Sequence, residues 1–291
     1  MSTNVFFLPP QNNVARRHPN QPTRPVLING NGSYSGAPGI IQDAQFPMVS
    51  ALYPGRSGLV WASGDSPGSN FPDSTSVVLE IDTVVQVTPS AWGVLGYRCR
   101  SVFPSNVQLD YLTGGTYNPT TGWLTASAAI TLGTNNGPGN LPDKGVSIIP
   151  VTARYWRFKF GFGASSGNGG FSISGLFLQT NVVNLGFLYS GADETRVIPR
   201  SVVETYSDQP IITRKGGEYR RWQLRYDNND AALRTTLDDL FSYQGAQEPF
   251  IFLTPDGLYF ECVWDSDSFT RSHIWAPPDR YRMSANLRSL P

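Results

Sequence analysis

Two histidines are the first residues of this chain to consider for chemistry, because a His side chain can bind a metal or transfer a proton. His273 lies in the stretch TRSHIWAPPD near Asp265, Asp267 and Arg271, a set that could hold a metal or carry out acid–base catalysis. A solvated loop is the ordinary interpretation of such a polar stretch, and it is the one we prefer. His18 lies in a Pro- and Asn-rich segment, which is unsuited to a rigid active site. We therefore predict no catalytic residue and no metal site.

Other signatures of catalysis are missing from the sequence. There is no G-x-S-x-G elbow for a nucleophilic serine. The segment GASSGNGG lacks the lysine of a phosphate-binding loop and joins two predicted strands instead of opening a helix. Cys99 and Cys262 are far apart and are expected to be buried thiols. The sequence thus predicts a protein that is not an enzyme and that needs no cofactor.

Aromatic side chains near turn-rich segments are the remaining candidates for a binding site. Trp92, Tyr117 and Trp123 are the rings closest to such segments, and an exposed ring can stack on the face of a sugar. The alternative is that these three rings belong to the core of a β-sandwich. Both interpretations stay open at this point.

Charge and length exclude several classes of partner. The 22 basic and 22 acidic residues cancel, and only 15% of the chain is charged, so no bulk field attracts nucleic acid or an anionic membrane. No stretch approaches the roughly 20 apolar residues of a membrane-spanning helix, and the N-terminus does not read as a signal peptide. We predict a soluble protein that is made in a cytoplasm and has no membrane span.

From about residue 75 the chain alternates short apolar runs with turn-rich segments. These runs are SVVLEIDTVVQV (76–87), GVLGYRCRSVF (93–103), NVQLDYL (106–112), WLTASAAITLG (123–133), GVSIIPVTA (145–153), RYWRFKFGF (154–162) and FSISGLFLQT (171–180). Strands at this spacing, with no helical period between them, predict a β-sandwich or jelly roll.

The run RYWRFKF (154–160) alternates cations with rings. In a strand, Tyr155, Arg157 and Lys159 share one face, and the aromatic residues between them share the other. One face is therefore predicted to enter the core and the cationic face to meet solvent. A surface that stacks bases would place rings and charges on the same side, so we predict no nucleic-acid specificity.

Residues 1–70 are dense in Pro, Asn and Gly but carry apolar anchors such as Phe6, Phe7 and Val26. This composition predicts an extended N-terminal arm that docks on a surface. The surface is either a neighbouring subunit or the arm's own domain, and the sequence favours neither.

A second domain is predicted over 181–291, where acidic residues outnumber basic ones after an excess of basic residues earlier in the chain. Its most informative part is a strand, YRRWQLRY, then a helix, then PFIFL and LYFECVW joined by the turn TPDG. The unit is strand, helix and β-hairpin. The domain boundaries predicted for the whole chain are 1–70, 71–180 and 181–291.

The helix is predicted at about 230–243. Asn229 or Asp230 can cap its first amides, and Gly245 suits the left-handed residue that follows a helix. One apolar stripe at helical spacing is formed by Leu233, Leu237, Leu240 and Phe241.

Residues 70–180 resemble the galactose-binding-like (discoidin-type) jelly rolls. ARYWRFKF followed by FSISGLFLQT is similar to the closing strands of that fold, and NVQLDYLTGG…TTGWLTA is similar to its strand–loop–strand segment. The resemblance implies a sandwich that often binds sugars through loops at one end and that has no fixed catalytic residues.

Residues 185–291 resemble the distal-tail and minor tail (baseplate) proteins of long-tailed bacteriophages, which are related to the tail tube. The resemblance implies a structural virion protein that is made in the bacterial cytoplasm and forms a homo-oligomeric ring, a trimer or hexamer, at the tail tip beside the tube and hub proteins. The residues that carry it are Trp222, Leu224, Leu237, Asp239, Leu240, Gly245, Pro249 and Phe250.

Together these observations predict a mainly β protein: a jelly-roll sandwich plus a second β-rich, tail-tube-like domain with one amphipathic helix. The predicted function is that of a distal-tail structural protein of a siphophage-like virion, with the jelly roll facing outward. The alternative is a carbohydrate-binding protein that recognises a host-surface glycan through the jelly roll.

Overall fold

Extended, β-branched and aromatic runs form β-sheets throughout the computed structural model. Contacts divide the chain into a sandwich unit, Leu8–Val183, and a second unit made of Met1–Phe7 and Asn184–Pro291. The structure describes residues 4–8, 13–15, 26–29, 61–62, 77–96, 98–99, 104–132, 139–140, 143–148, 150–162, 171–187, 192–197, 200–204, 210–214, 219–229, 231–244, 249–265, 270–274 and 280–290.

The described elements are almost all strands, with one helix. In chain order they are β1 (Asn4–Leu8), β2 (Val26–Asn29), β3 (Trp61–Ala62), β4 (Val77–Val87), β5 (Ala91–Leu95), β6 (Arg98–Cys99), β7 (Pro104–Leu112), β8 (Trp123–Thr125), β9 (Ile130–Thr131), β10 (Gly139–Asn140), β11 (Lys144–Ser147), β12 (Ala153–Phe162), β13 (Phe171–Ile173), β14 (Gly175–Gln179), β15 (Val183–Phe187), β16 (Ala192–Val197), β17 (Arg200–Glu204), β18 (Pro210–Arg214), β19 (Tyr219–Asn229), α1 (Ala231–Gln244), β20 (Phe250–Leu253), β21 (Tyr259–Trp264), β22 (Thr270–Ile274) and β23 (Arg280–Ser289).

The sandwich unit encloses one hydrophobic core between antiparallel sheets. The larger sheet has the order β2-β4-β12-β7-β8, with β9 also paired to β7, and the facing sheet has the order β11-β5-β14. Leu79 from β4, Phe158 from β12 and Leu176 from β14 are each fully buried in this core. The predicted jelly-roll sandwich is therefore confirmed.

Three of the predicted strands are interrupted. The run 123–133 forms β8 and β9, with residues 126–129 between them. The run 93–103 forms β5 and then β6, because the chain turns at Gly96, whose φ of 55° is incompatible with an extended strand. The Gly96 amide donates to Asp143 Oδ1 at 2.7 Å, which secures this turn. The run 171–180 is divided at Ser174, between β13 and β14.

Where the structure describes residues 1–70, they pair with the chain's own sheets. The Asn13 side chain is buried and donates to the Leu176 carbonyl at 3.2 Å, while its Oδ1 accepts from the Leu178 amide at 2.9 Å. These bonds add residues 13–15 to the edge of β14. For this short piece, the chain's own domain is the docking surface, and most of the predicted arm lies outside the described residues.

The second unit contains an eight-stranded sheet. Seven strands have the order β15-β1-β20-β21-β23-β19-β16, and the eighth, β22, pairs with β23. The hairpin β20–β21 closes through the predicted turn, in which Gly257 has φ 84° and donates to the Thr254 carbonyl at 2.9 Å. The helix α1 spans Ala231–Gln244 and contacts β23. The second β-rich domain with one helix is thus confirmed as a fold.

The residues matched to the tail-protein pattern lie mainly in the core of the second unit. The Trp222 ring packs against Phe252 and Phe260, with centroids 5.5 and 4.9 Å away. Pro249 is half-buried, and Gly245 and the capping candidate Asp230 lie outside the described residues. Asp239, on α1, is exposed. The buried residues of this pattern hold the unit together, and a role of the pattern in assembly stays a prediction. The fully or nearly buried members are Trp222, Leu224, Leu237, Leu240 and Phe250.

Candidate functional site

Strand β12 gives the sandwich one face that enters the core and one that does not. Trp156, Phe158 and Phe160 are fully buried in the core, as their alternation predicts. The opposite face was predicted to be solvated, and that prediction is wrong for two of its residues. Tyr155 is only 7% exposed and Arg157 only 3%, because other parts of the chain cover this face.

Arg157 is buried as one half of an ion pair with Glu80. The two residues face each other across β12 and β4, and Arg157 Nε donates to Glu80 Oε1 at 2.6 Å. Arg157 Nη2 also donates to the Pro119 carbonyl at 2.7 Å. The side chains are 3% and 2% exposed. Removing two charges from water costs several kcal/mol per ion unless each is paired and hydrogen-bonded, and this geometry meets that condition.

The two predicted glycan-binding rings Tyr117 and Trp123 lie on this ion pair. The Arg157 guanidinium carbon is 3.9 Å from the centroid of the Trp123 ring, within the range of a cation–π contact. The Tyr117 hydroxyl donates to Glu80 Oε2, and its ring lies 5.6 Å from that of Tyr155. Both Tyr117 and Trp123 remain half-buried, so part of each side chain meets solvent.

The loop between β7 and β8 holds these rings in place. Thr113 closes its base, donating from its amide and hydroxyl to the Gly122 carbonyl at 3.1 and 3.0 Å. At its tip, Asn118 Oδ1 accepts from the Thr120 and Thr121 amides at 2.9 and 3.0 Å. The Asn118 carbonyl in turn accepts from Trp123 Nε1 at 2.8 Å. We call residues 113–122 the capping loop, because they cover Arg157 and Glu80.

The third predicted ring is not available to a ligand. Trp92 is fully buried in the sandwich core, its ring is 5.9 Å from that of Phe158, and its Nε1 donates to Ser127 Oγ at 2.7 Å. Every residue of β5 is buried. Strands β11 and β14 pair along its two edges, and the larger sheet packs against the face that carries Trp92. The interpretation of Trp92 as a core residue is the one that the structure supports.

A second ion pair, between Asp82 and Arg154, flanks the site on the same two strands. Arg154 donates to both carboxylate oxygens at 2.7 Å. Burial alone would raise the pKa of Asp82, but bonds from Arg154 and the Val84 amide outweigh it, so that pKa lies below its usual value. Beside this pair, residues 83–86 bulge out of β4. Val84, with φ 68°, and Val85 are exposed on this bulge.

The carboxylates of this face are already engaged. Glu80 accepts from Arg157 and Tyr117, Asp82 accepts from Arg154, and Asp110 accepts from Gln108 Nε2 at 2.6 Å.

In the described part of the chain, no three His, Cys, Asp or Glu residues are grouped to hold a metal, and no described helix is long and apolar enough to cross a membrane. His273, expected in a solvated loop, lies in strand β22 opposite Tyr281.

Sequence reasoning missed the ion pair that supports the two rings. Glu80 stands within the apolar run VVLEIDTVV, and a carboxylate in such a run is a signal that it will be buried with a cation. Its partner is 77 residues away along the chain, so the pattern indicates that a pair exists without naming both members.

No protein-family model matches the chain, and no curated protein matches it. Among solved structures, a chitosan-binding module of a chitosanase/glucanase from Paenibacillus sp. IK-5 is 16% identical, covering 57% of this chain and 97% of its own, with a TM-score of 0.35. A CBM32 module of a family 31 glycoside hydrolase from Clostridium perfringens is 14% identical, covering 52% and 90%, with a TM-score of 0.36. The family 32 module of C. perfringens NanJ, in complex with galactose, is 13% identical, covering 60% and 98%, with a TM-score of 0.36.

These three structures are carbohydrate-binding modules, the kind of sandwich that the sequence of this chain resembles, and none of them is a tail protein. Identities of 13–16% and TM-scores of 0.35–0.36 are too low for the ligands of those modules to be transferred to this chain.

Proposed function

We propose that the sandwich unit binds carbohydrate on the surface formed by Tyr117, Trp123 and the capping loop. One observation carries the proposal: two half-buried rings are held at a fixed place beside a polar loop whose backbone is tied by its own hydrogen bonds. A site that is already ordered loses little entropy when it binds a ligand.

The surface offers the two kinds of contact that a sugar needs. Half-buried Tyr and Trp rings supply apolar area together with a polar edge. Around them the capping loop exposes hydroxyl and amide groups, which can donate to and accept from sugar hydroxyls. The exposed polar residues of the loop are Thr113, Thr116, Asn118, Thr120 and Thr121.

The engaged carboxylates favour binding over catalysis. A glycosidase needs two carboxyl groups facing the bond that is broken, whereas Glu80, Asp82 and Asp110 are each bonded to a neighbouring side chain of the protein. We therefore propose a binding module that leaves the glycan unchanged.

A glycan array followed by calorimetric titration of the best ligand tests this proposal. Trp123→Ala should lower affinity at least about tenfold, equivalent to about 1.4 kcal/mol, because a stacking ring is lost. Leu124→Ala is the matched control, since Leu124 is exposed, adjacent and directed to the other side of β8, and its affinity should stay within about twofold of wild type. Absence of any array signal, or equal losses in the two variants, contradicts the proposal.

We propose as a second candidate that the 184–291 unit assembles into a ring in a phage tail. In the part of the chain that the structure describes, its sheet ends in two edge strands, β15 and β16. Among the described residues, β17 and β18 pair only with each other, with Val202 opposite Ile212. An open edge strand presents unpaired backbone groups, and an isolated two-stranded hairpin is only marginally stable in water. Head-to-tail association of identical chains into a ring would cover both.

Light scattering on a sizing column tests the ring by giving the absolute mass. A trimer or hexamer is expected, and Val202→Asp in the hairpin should reduce the mass toward that of a monomer. Thr213→Asp on the same hairpin, opposite Ser201, is the control and should leave the oligomer intact. A monomer at every concentration, together with absence of the protein from purified virions, contradicts this candidate.

A further inference from the structure

The feature that the proposed function leaves unexplained is the ion pair beneath the two rings. A buried pair is weak evidence for stability by itself, because apolar residues of similar volume are often as good or better at the same place. Stability alone therefore does not explain why Glu80 and Arg157 are buried at this place. Their hydrogen bonds indicate another role. The pair is the common support of both rings and of the capping loop.

Each member of the pair controls a different ring. Arg157 presents its planar guanidinium to the Trp123 ring at 3.9 Å, while Glu80 accepts from the Tyr117 hydroxyl through Oε2. Arg157 also donates to the Pro119 carbonyl, at the tip of the capping loop. The pair is anchored from below by the strands themselves, because β12 pairs with both β4 and β7 at this point.

We infer that Glu80 and Arg157 are positioning residues that set the orientation of Trp123 and Tyr117 together, so that one buried ion pair shapes the whole binding surface. Neither residue touches the ligand, since both side chains are almost completely buried. The effect on ligand affinity rests on the proposed function, whereas the effect on ring orientation does not.

Fluorine NMR of protein labelled with 5-fluorotryptophan tests the inference without a ligand. The chain has seven tryptophans, and a Trp123→Phe variant identifies the Trp123 resonance. The decisive variant is Glu80→Leu/Arg157→Met, which removes both charges and leaves neither one buried alone. We expect it to keep the wild-type unfolding temperature within a few degrees while the Trp123 resonance shifts and broadens and glycan affinity falls at least about tenfold.

The matched control is Asp82→Asn/Arg154→Gln, on the same two strands. That pair is far more exposed, with side chains 15% and 38% accessible, and its loss should move neither the Trp123 resonance nor the affinity. A double variant of Glu80 and Arg157 that leaves the Trp123 resonance in place overturns the inference. If this double variant does not fold, Arg157→Lys decides: it keeps the charge beside Glu80 but removes the planar group under Trp123, so an unmoved resonance overturns the inference.

The two proposals fail in different ways. If wild-type protein binds no glycan, the proposed function fails, and the Trp123 resonance alone still decides whether the ion pair orients the ring. If glycan binds but the double variant keeps both wild-type affinity and the wild-type resonance, the positioning role fails while the binding function stands.

Discussion

At the scale of single residues, burial determines what each charged side chain contributes. Arg157→Met should cost about 3–5 kcal/mol of unfolding free energy, because it leaves the Glu80 carboxylate buried without a partner. Arg154→Met is the control and should cost much less, because its side chain is 38% exposed and solvent screens the pair. Urea unfolding of the two variants measures the difference, and equal losses would show that Glu80 is not isolated from water.

The lowered pKa of Asp82 predicts a dependence of stability on pH. A carboxyl group whose pKa is lower in the folded state stabilises the protein above its unfolded pKa of about 3.9, and this contribution disappears as pH falls through the folded value. The difference in unfolding free energy between wild type and Asp82→Asn should therefore be largest above about pH 4 and should shrink below it. A difference that stays constant between pH 7 and pH 2.5 would mean that the Arg154 bond does not lower the Asp82 pKa.

At the scale of elements, the packing of β5 leaves no room for a side chain at one position. A Cβ at Gly93 would lie 2.0 Å from the Lys144 carbonyl oxygen and 2.4 Å from the Phe177 ring. Gly93→Ala should therefore destabilise the protein by about 1–3 kcal/mol or more, because the carbonyl belongs to the backbone of the paired strand β11 and cannot yield easily.

Gly115 provides the control for this prediction. Nothing lies within 4 Å of a Cβ placed there, so Gly115→Ala in the capping loop should change the unfolding free energy by less than about 0.5 kcal/mol. Thermal unfolding followed by circular dichroism compares the two variants. Equal unfolding temperatures would show that β5 and β11 separate enough to accept the methyl group.

At the scale of the whole molecule, each unit has its own buried aromatic core, with Phe158 in the sandwich and Phe252 in the second unit. If the units unfold independently, calorimetry should show two transitions. Phe158→Leu should lower only one of them by several degrees, and Phe252→Leu only the other, because each removes about 1–3 kcal/mol of packing from a single core. A single transition that both variants lower would contradict the predicted division near residue 180.

Periodicity in the sequence was sufficient to predict which face of several strands and of the helix enters the core. Alternation in RYWRFKF assigned Trp156, Phe158 and Phe160 to the core, and the structure buries all three. The helix predicted at about 230–243 is Ala231–Gln244, and Leu237 on its apolar stripe is fully buried. These features are local, since the direction of each side chain depends only on strand or helix geometry.

The tertiary structure decides which segments cover the outward face of a strand, and the sequence did not predict these segments. Arg157 was expected in solvent, but the capping loop covers it and Glu80, 77 residues away, neutralises it. Trp92 was a candidate for an exposed ring, but β5 lies between two strands and beneath a second sheet. The sequence by itself determined the mainly β fold, the helix and the inward-facing side chains, because local periodicity specifies them. Only the tertiary structure decided which outward-facing groups are buried together, because that depends on pairings between segments far apart along the chain.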